Sequence, residues 1–228
     1  MENEVKEKKN KKEKVKKPLW REILEWVVTI LAAVAIALAV RTLFFEPVKV
    51  DGHSMDDTLA DGEIMLVTKT DYLVGNPSRF DVVICNYPNR TTKFLGVFDT
   101  NVNFVKRIVG LPGDTVEIKG GYLYVNGEKY DEPYINDEYR TNWGSAGYTY
   151  GPCYVPKKGE TFTDVNGNEV VADEDYYFVM GDHRDNSNDS RAQGPIKRSM
   201  IVGHVQQIVW PLSSWRSVPN GLDVTSAN

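Results

Sequence analysis

The residues in this sequence that are best suited to chemistry are a serine, a lysine and a charged loop. Ser54 follows an extended segment, residues 46–50, whose apolar residues alternate as in a half-buried strand. A serine on a bend at a strand end can project clear of the backbone, and Gly52 would let another chain approach closely. Because a serine in a turn is usually only a turn residue, a nucleophilic Ser54 requires support from the other two groups.

The second group is a pair of cations, Lys106 and Arg107, inside an apolar strand predicted for residues 103–110. Neighbouring residues on a strand point to opposite faces, so one of the two is expected to face inward or to line a cleft. Burial disfavours the charged form of a lysine, and a neutral amine could act as a base near neutral pH. The alternative is a Lys106 at a strand edge whose ammonium reaches solvent.

The third group is a polar loop, residues 181–194, which follows a short apolar strand at residues 177–180. If this loop is packed, it must satisfy its own polar groups. The residues suited to do so through charge-assisted pairs are Asp182, Arg184, Asp189 and Arg191.

The same loop invites comparison with a calcium site, because Asp185, Ser187 and Asp189 alternate along it. The EF-hand pattern, however, requires glycine at its sixth position and glutamate at its twelfth. Those positions hold Ser190 and Ile196. The sequence therefore predicts neither a metal nor a cofactor.

The chain has two cysteines, Cys85 and Cys153. Neither has a second ligand at CxxC or CxxH spacing, and one pair in an exported domain would not make a disulfide framework. We interpret both as unpaired thiols.

Composition and strand patterns predict a mainly β body. The 228 residues include 12 Tyr, 8 Phe and 5 Trp, residue types that favour strands. Strands are expected at residues 63–68, 80–85, 115–119, 122–125 and 201–210, with a loop at 89–103. Residues 129–175 are rich in Tyr, Gly, Asp and Asn, and we interpret them as a smaller β subdomain inserted into the main one. The polar segment from Ser213 is expected to be unanchored.

The first 45 residues predict a single membrane anchor. Residues 1–17 hold eight Lys and four Glu and form a basic, low-complexity tail. Residues 26–40 carry no charge, and their apolar flanks make them long enough for a short span. Lysines before the span and none immediately after it predict a cytoplasmic N-terminus and an exported body. The lipid bilayer is therefore an expected partner, and nucleic acid is not.

A removable export signal is the alternative to a retained anchor. Residues 37–39, Ala-Leu-Ala, form a small-x-small triplet at the end of the apolar run. The apolar residues resume at positions 43–45, which favours a longer, retained helix. Cleavage after Ala39 stays open.

Three motifs in this order, behind a single anchor, resemble bacterial type I signal peptidases. They are Gly52-x-Ser54-Met55-x-x-Thr58-Leu59, Lys106-Arg107-Ile108-Val109-Gly110-Leu111-Pro112-Gly113-Asp114 and Gly181-Asp182-x-Arg184-Asp185-Asn186-Ser187-x-Asp189-Ser190-Arg191. The resemblance runs from the anchor to about Pro211. Lys106 stands where the relatives in endoplasmic reticulum membranes carry histidine, which points to the bacterial branch.

The resemblance implies a serine endopeptidase that removes N-terminal signal peptides from exported preproteins by a Ser-Lys dyad. Ser54 would be the nucleophile, Lys106 the general base and Ser187 the residue that orients the lysine amine. The other supporting residues that it implies are Arg107 with Asp182, and Asp189 with Arg191 or Arg184. The oxyanion hole would use the N–H of Ser54 and a donor at Gly52, where a backbone N–H or water must serve.

The resemblance also implies the fold and the location. A cytoplasmic tail (1–18) would precede a transmembrane anchor (19–45) in the plasma membrane of a bacterium. The extracytoplasmic catalytic β domain would comprise residues 46–128 and 176–212, with the small β subdomain (129–175) inserted and a polar tail (213–228) after it. Shallow apolar pockets would select small residues at the first and third positions before the cut, and the substrate would bind extended as an added strand.

Two positions depart from the family pattern. Asp57 stands where the family usually has proline, and His183 stands where it usually has asparagine. A carboxylate at position 57 close to Lys106 would raise the pKa of the amine and slow the enzyme at neutral pH.

Three alternatives stay open at this stage. A Ser-His-Asp triad would need a histidine beside Ser54, but His53 is expected to point away on an extended chain, and His183 and His204 lie in no triad motif. A close relative could process a narrower substrate set, such as pilus or conjugation components, with the same residues. The protein could instead be an inactive surface-binding module, with Asp57 as the sign of decay.

Overall fold

The computed structural model describes residues 18–94, 98–141 and 148–220. Its α-helices are α1 (Leu19–Phe44), α2 (Asp71–Val74), α3 (Asp137–Thr141) and α4 (Ser190–Gln193). Its strands are β1 (Phe45–Lys49), β2 (Ile64–Thr68), β3 (Val82–Phe94), β4 (Phe98–Gly110), β5 (Thr115–Lys119), β6 (Tyr122–Val125), β7 (Glu128–Lys129), β8 (Tyr150–Tyr154), β9 (Thr161–Thr163), β10 (Glu169–Val171), β11 (Tyr176–Met180), β12 (Ile196–Lys197), β13 (Ile201–Trp210) and β14 (Arg216–Ser217). Short 3₁₀ turns lie at Arg198–Met200 and Leu212–Ser214. The predicted mainly β class, behind one N-terminal apolar helix, is confirmed.

Helix α1 is long and apolar enough to cross a bilayer. Its segment Leu19–Ala39, 21 residues, meets that criterion by length and composition alone, which an export signal sequence would also do. The helix begins directly after Pro18, whose carbonyl accepts the N–H of Arg21 at 2.9 Å. Glu22 lies in the first turn, where a carboxylate suits the positive end of the helix dipole. The predicted helix is present, and its passage through a membrane stays a prediction.

The main sheet has eight antiparallel strands in the order β1-β2-β13-β3-β4-β11-β12, with β14 paired to β13. The pairing of β13 with β2 shifts register between Val205 and Gln207 and again between Ile208 and Trp210. Such bulges bend a strand and increase its twist, so the sheet is curled. Its edge strand β1 leads directly into the segment that carries Ser54.

Strands β3 and β4 are longer than the sequence predicts. The prediction of a loop at residues 89–103 is wrong wherever the two strands pair. Thr91 lies opposite Asn101, and Lys93 lies opposite Asp99. The pairing of the two strands shifts register between Asn86 and Thr91, and such a bulge interrupts the regular pattern without ending the strand.

A second sheet has four strands in the order β7-β6-β5-β8, and β9 pairs with β10 in a separate hairpin. The predicted hairpin across Gly120 and Gly121 is confirmed, and both glycines have positive φ, 61° and 83°, as a tight hairpin turn requires. The four-stranded sheet begins at Thr115, whereas the sequence predicts the inserted subdomain from residue 129. The subdomain boundaries stay a prediction.

Strand β3 is buried on both faces. Val82 packs with Met55 and Leu59 in one apolar cluster, whereas Val83 packs with Ile108 in another. Strands covered on both faces read as continuous β-branched runs, which explains why this strand was predictable. The first cluster also fixes the backbone on either side of Ser54.

The sequence predicts that the segment after residue 213 is unanchored. In the structure, the described part of this segment, which ends at Asn220, packs on the body. We call residues 216–220 the C-terminal strap. Val218 is buried, and its N–H donates to Gln206 O at 2.9 Å. Arg216 pairs with the buried carboxylate of Glu63 at 2.7 Å and donates to Thr58 O at 3.0 Å. One apolar residue among polar ones gives no periodic pattern, so the sequence carried no signal for this packing.

Removing the Arg216 guanidinium should loosen the segment around Thr58. Arg216→Ala is expected to lower the free energy of unfolding by about 1–2 kcal/mol, because it leaves the Glu63 carboxylate buried without its cation. Arg216→Lys keeps the charge but loses the forked geometry, and should cost less. Urea denaturation of both variants checks this, and equal stability of Arg216→Ala and the unmodified protein would contradict it.

Candidate active site

Ser54 lies in a compact turn that we call the Ser54 turn (residues 52–59). The turn is closed by backbone hydrogen bonds from Asp56 N to His53 O (3.3 Å) and from Leu59 N to Met55 O (2.8 Å). Met55 and Leu59 are buried in the core, whereas Ser54 is only half-buried. Gly52 has a φ of 102°, a conformation that side chains disfavour. The turn therefore holds the serine hydroxyl at the surface on a fixed backbone.

The Lys106 amine contacts this hydroxyl. Nζ of Lys106 lies 2.6 Å from Ser54 Oγ and also donates to Val105 O at 2.8 Å. The lysine is 2% exposed, and burial holds the pKa of its amine below the usual value. A buried Lys106 is one of the two interpretations that the sequence left open, and its burial excludes the strand-edge alternative.

Cys85 contributes to the apolar surroundings of this amine. Burial raises the pKa of the Cys85 thiol to about 12, so the thiol stays neutral next to Lys106. Cys85 and Cys153 are both free thiols in the structure, in agreement with the sequence interpretation.

Lys106 and Arg107 are both buried, whereas the sequence analysis expects one of them to face inward or to line a cleft. Arg107 is fully buried and binds the Asp182 carboxylate through Nε (3.0 Å) and Nη2 (2.8 Å). Its Nη1 donates to Phe80 O and Pro219 O at 2.9 and 2.7 Å, and the guanidinium stacks on the ring of Tyr134 at 3.8 Å. Neighbouring residues still point to opposite faces of the strand, and both are buried because other parts of the chain cover both faces of the curled sheet.

Asp182 joins this cation to the Ser54 turn. Its Oδ2 accepts the hydroxyl hydrogen of Thr58 at 2.6 Å, within the same turn as the serine. The carboxylate and the Thr58 side chain are both buried. Charge-assisted hydrogen bonds in a buried site are strong and directional, so Arg107 and Asp182 fix the far end of the Ser54 turn.

Arg184 pairs with a residue that the sequence analysis missed. Its guanidinium binds Glu132, with Nη1 3.1 Å from Oε2, and its Nε donates to Gly181 O at 3.2 Å. Both charged side chains are fully buried. Glu132 lies in the segment interpreted as an inserted subdomain, and its spacing to Arg184 carries no local signal.

Asp189 organises the remainder of the 181–189 loop. It accepts hydrogen bonds from Gly181 N (3.0 Å) and from the Arg191 guanidinium (2.7 Å for each of two bonds). Burial alone would raise the pKa of Asp189, but the hydrogen bonds and charge of Arg191 outweigh it, and the pKa lies below its usual value. Of the two partners that the resemblance implied for Asp189, the structure pairs it with Arg191 and not with Arg184.

Ser187 lies close to the Ser54 backbone. It does not make the predicted hydrogen bond to the Lys106 amine. Its Oγ is buried and lies close enough to the Asp189 carboxylate to contribute to the lowered pKa of that group. A Cβ atom added at Gly181 would overlap both Ser187 Oγ and Ser54 O, so the three residues are in close contact. The expected orienting bond to the amine is replaced by the bond from Nζ to Val105 O.

Only one of the two expected oxyanion donors is available. The N–H of Gly52 already donates to Asp61 Oδ1 at 3.0 Å. The N–H of Ser54 makes no hydrogen bond to any described residue. The Ser54 backbone is therefore the donor that could meet an oxyanion directly.

Asp57 is an exposed residue of the Ser54 turn. Its φ is 74°, which a proline ring cannot adopt, so this turn has a different backbone from one built around proline. Besides burial, the carboxylates of Asp189 and Asp182 act on the Lys106 amine and favour its charged form. The Asp57 carboxylate acts, after burial, on the phenol of Tyr139 and raises its pKa.

The histidines do not form a triad with Ser54. His53 Nδ1 contacts Asp56 at 3.3 Å, and His204 Nδ1 contacts Asp71 at 3.0 Å. His183 Nδ1 contacts His53 O at 2.9 Å. Among the described side chains, it is the Lys106 amine that contacts the serine hydroxyl. The geometry is that of a serine hydrolase with a lysine beside its nucleophile.

Comparison with known proteins agrees with this class. The family described as signal peptidase, peptidase S26, matches residues 23–210. The chain is 39% identical over 199 residues to signal peptidase I of Bacillus licheniformis, covering 85% of this chain and 92% of that relative. It is 37% identical over 198 residues to signal peptidase IB of Staphylococcus aureus strain COL, covering 86% and 94%.

The chain therefore belongs to the signal peptidase family, peptidase S26. It is a serine endopeptidase of the family that cleaves signal peptides from preproteins. Among solved structures, it is similar to signal peptidase I from Enterococcus faecalis V583, with a TM-score of 0.40 and 27% identity, covering 57% of this chain and 97% of that one.

Proposed function

We propose that the protein cleaves signal peptides from exported preproteins with a Ser54–Lys106 dyad. The observation that carries this proposal is the 2.6 Å distance between Lys106 Nζ and Ser54 Oγ, made by a lysine that is 2% exposed. A serine hydroxyl is a weak nucleophile unless a base removes its proton, and a desolvated amine can be that base near neutral pH.

In this mechanism the substrate carbonyl meets Ser54 Oγ while its oxygen accepts the Ser54 N–H. Oγ attacks the carbonyl carbon and its proton passes to Lys106 Nζ. The C–N bond then breaks, and the departing amine, the new N-terminus of the exported protein, takes that proton. Water attacks the resulting ester, again giving a proton to Nζ, and Ser54 regains its hydrogen as the signal peptide leaves with a free carboxyl group.

The remaining site residues act as supports in this proposal. Arg107 with Asp182 holds the Ser54 turn through Thr58, and Asp189 with Arg191 holds the 181–189 loop. Arg184 contributes to the same loop through Gly181 O. Ser187 is in close contact with Gly181 and the Ser54 backbone, and in this proposal it helps to orient the amine. No metal or cofactor takes part in any of these steps.

Activity should rise with pH. Only a neutral Lys106 can accept the Ser54 proton, and burial lowers the pKa of Lys106 from its ordinary value of 10.5. We expect kcat/KM to increase from acid to alkaline pH, with its midpoint below 10.5. Initial rates on a peptide with one cleavable bond measure this. A flat profile from acid to neutral pH would argue against a lysine base.

Cleavage should occur after small residues. A model preprotein with alanine at the first and third positions before the cut should be cleaved once, and leucine at either position should block cleavage. N-terminal sequencing of the product locates the cut. Cleavage restricted to a few pilus or conjugation proteins would instead favour a narrow substrate set with the same dyad.

We further propose that α1 anchors the protein once in the plasma membrane, with a cytoplasmic N-terminus. Positive residues before the helix support this orientation. Protease added outside intact cells would then digest the β body, whereas an N-terminal tag would stay protected. The reverse pattern, or release of the body after Ala39, would contradict the anchor.

A further inference from the structure

His183 occupies a position between two carboxylates beside the Ser54 turn. Its Nδ1 lies 2.9 Å from His53 O and 3.2 Å from Asp56 Oδ2, and its Nε2 lies 3.1 Å from Asp185 Oδ1. The imidazole stacks on the ring of Tyr139 in α3, with centroids 3.8 Å apart. The ring is therefore fixed in its plane and at both nitrogens.

The partners dictate where the protons lie. A carbonyl oxygen only accepts, so Nδ1 must carry hydrogen to bond His53 O. If Nε2 carried none, its lone pair would face the Asp185 carboxylate. The imidazolium, which donates at both nitrogens, satisfies every partner in this arrangement.

The bond to His53 O acts on the neighbouring peptide group. His53 C=O and Ser54 N–H belong to one planar, trans peptide unit and point in opposite directions. Fixing the oxygen therefore aims the N–H. The His183 backbone N–H also donates to Ser54 O at 3.2 Å, so the residue contacts the peptide groups on both sides of the nucleophile.

We propose that His183 is a positioning residue that aims the Ser54 N–H at the developing oxyanion, and that Asp185 and Tyr139 hold its ring in place. This inference rests on the proposed Ser54–Lys106 mechanism and adds a component to it. Hydrogen bonds to the oxyanion strengthen in the transition state, so the effect falls on kcat and not on KM.

The test compares three variants with the unmodified protein by kcat and KM. His183→Phe keeps the ring on Tyr139 but removes both donors, and should lower kcat about tenfold with KM unchanged. His183→Asn can offer an amide N–H to His53 O and should restore most of kcat. Asp185→Asn removes the carboxylate that contacts Nε2 and should lower kcat by less than His183→Phe does.

His204→Phe is the matched control, because His204 also stacks on a tyrosine and pairs with an aspartate. Its kcat should equal that of the unmodified protein.

The outcomes separate the two proposals. An active Ser54→Ala variant would overturn the dyad itself. With Ser54→Ala inactive, a His183→Phe variant with unchanged kcat, or a His183→Asn variant that is no more active than His183→Phe, would overturn the role of His183 alone.

Discussion

Replacing Asp182 by leucine is expected to lower the free energy of unfolding by about 3–5 kcal/mol, because it strands a buried arginine. Arg107 and Asp182 have side-chain exposures of 0% and 1%, so solvent cannot replace the lost carboxylate. The hydroxyl of Thr58 loses its acceptor in the same variant. Urea denaturation in detergent measures the loss.

The matched control is Asp173→Leu, which breaks a pair that solvent reaches. Asp173 is 64% exposed where it meets Lys197, and exposed pairs contribute about 0–1 kcal/mol. The double variant Arg107→Met with Asp182→Leu should recover part of the loss, since removing both charges avoids an unpaired one. Equal effects of Asp182→Leu and Asp173→Leu would contradict the buried network.

Gly181→Ala is expected to reduce activity by about 100-fold, because small displacements of reacting groups are costly. A Cβ atom there would overlap Ser187 Oγ and Ser54 O, so the Ser54 backbone must move. The same crowding should cost about 1–3 kcal/mol of stability, as overpacking usually does. Initial rates and urea denaturation together measure both effects.

Gly203→Ala separates crowding from displacement of the site. A Cβ at Gly203 would lie 2.6 Å from Val67 Cγ1 and 3.0 Å from Thr68 O, in the main sheet. This variant should lose similar stability while folded molecules keep their activity. If Gly181→Ala and Gly203→Ala both lose activity, the loss follows from lower stability and not from displacement of the site. If neither loses activity, crowding at Gly181 does not displace the Ser54 backbone. Either result would contradict the prediction.

Sequence patterns predicted those parts of the site that depend only on residues close together in the sequence. A glycine-flanked serine at a strand end and a lysine in an apolar strand each have a recognisable context, and their motifs carried the family resemblance. A lysine placed among β-branched residues loses solvation if it is buried, and this made Lys106 a candidate base. The hairpin across Gly120 and Gly121 was predictable because glycine readily adopts the positive φ that the turn requires.

The missed features depend on distant parts of the chain. Burial of Arg107 required Asp182 and Tyr134, which come from different segments, and Glu132 meets Arg184 across 52 residues. The packing of the C-terminal strap depends on the sheet surface that receives Val218. No spacing rule within a segment encodes such contacts, since they form only when the sheet curls.

Position 57, where the family pattern usually has proline, shows the same limit of predicting structure from sequence. A motif comparison treats Asp57 as a departure beside the nucleophile. The structure gives this residue a φ of 74°, so the local backbone has adapted to a residue that tolerates the left-handed region. Asp57→Pro should therefore disturb the turn and not improve the enzyme.

The most direct test of the dyad is cleavage of one model preprotein in detergent by the unmodified protein, Ser54→Ala and Lys106→Met. Exposed Ser213→Ala and Lys158→Met are matched controls for the two substitutions. The account predicts a single cut after a small-x-small sequence, controls within about twofold, and both site variants slower by about 10⁴-fold or more. Cleavage by either site variant at a rate close to that of the unmodified protein would contradict the Ser54–Lys106 mechanism.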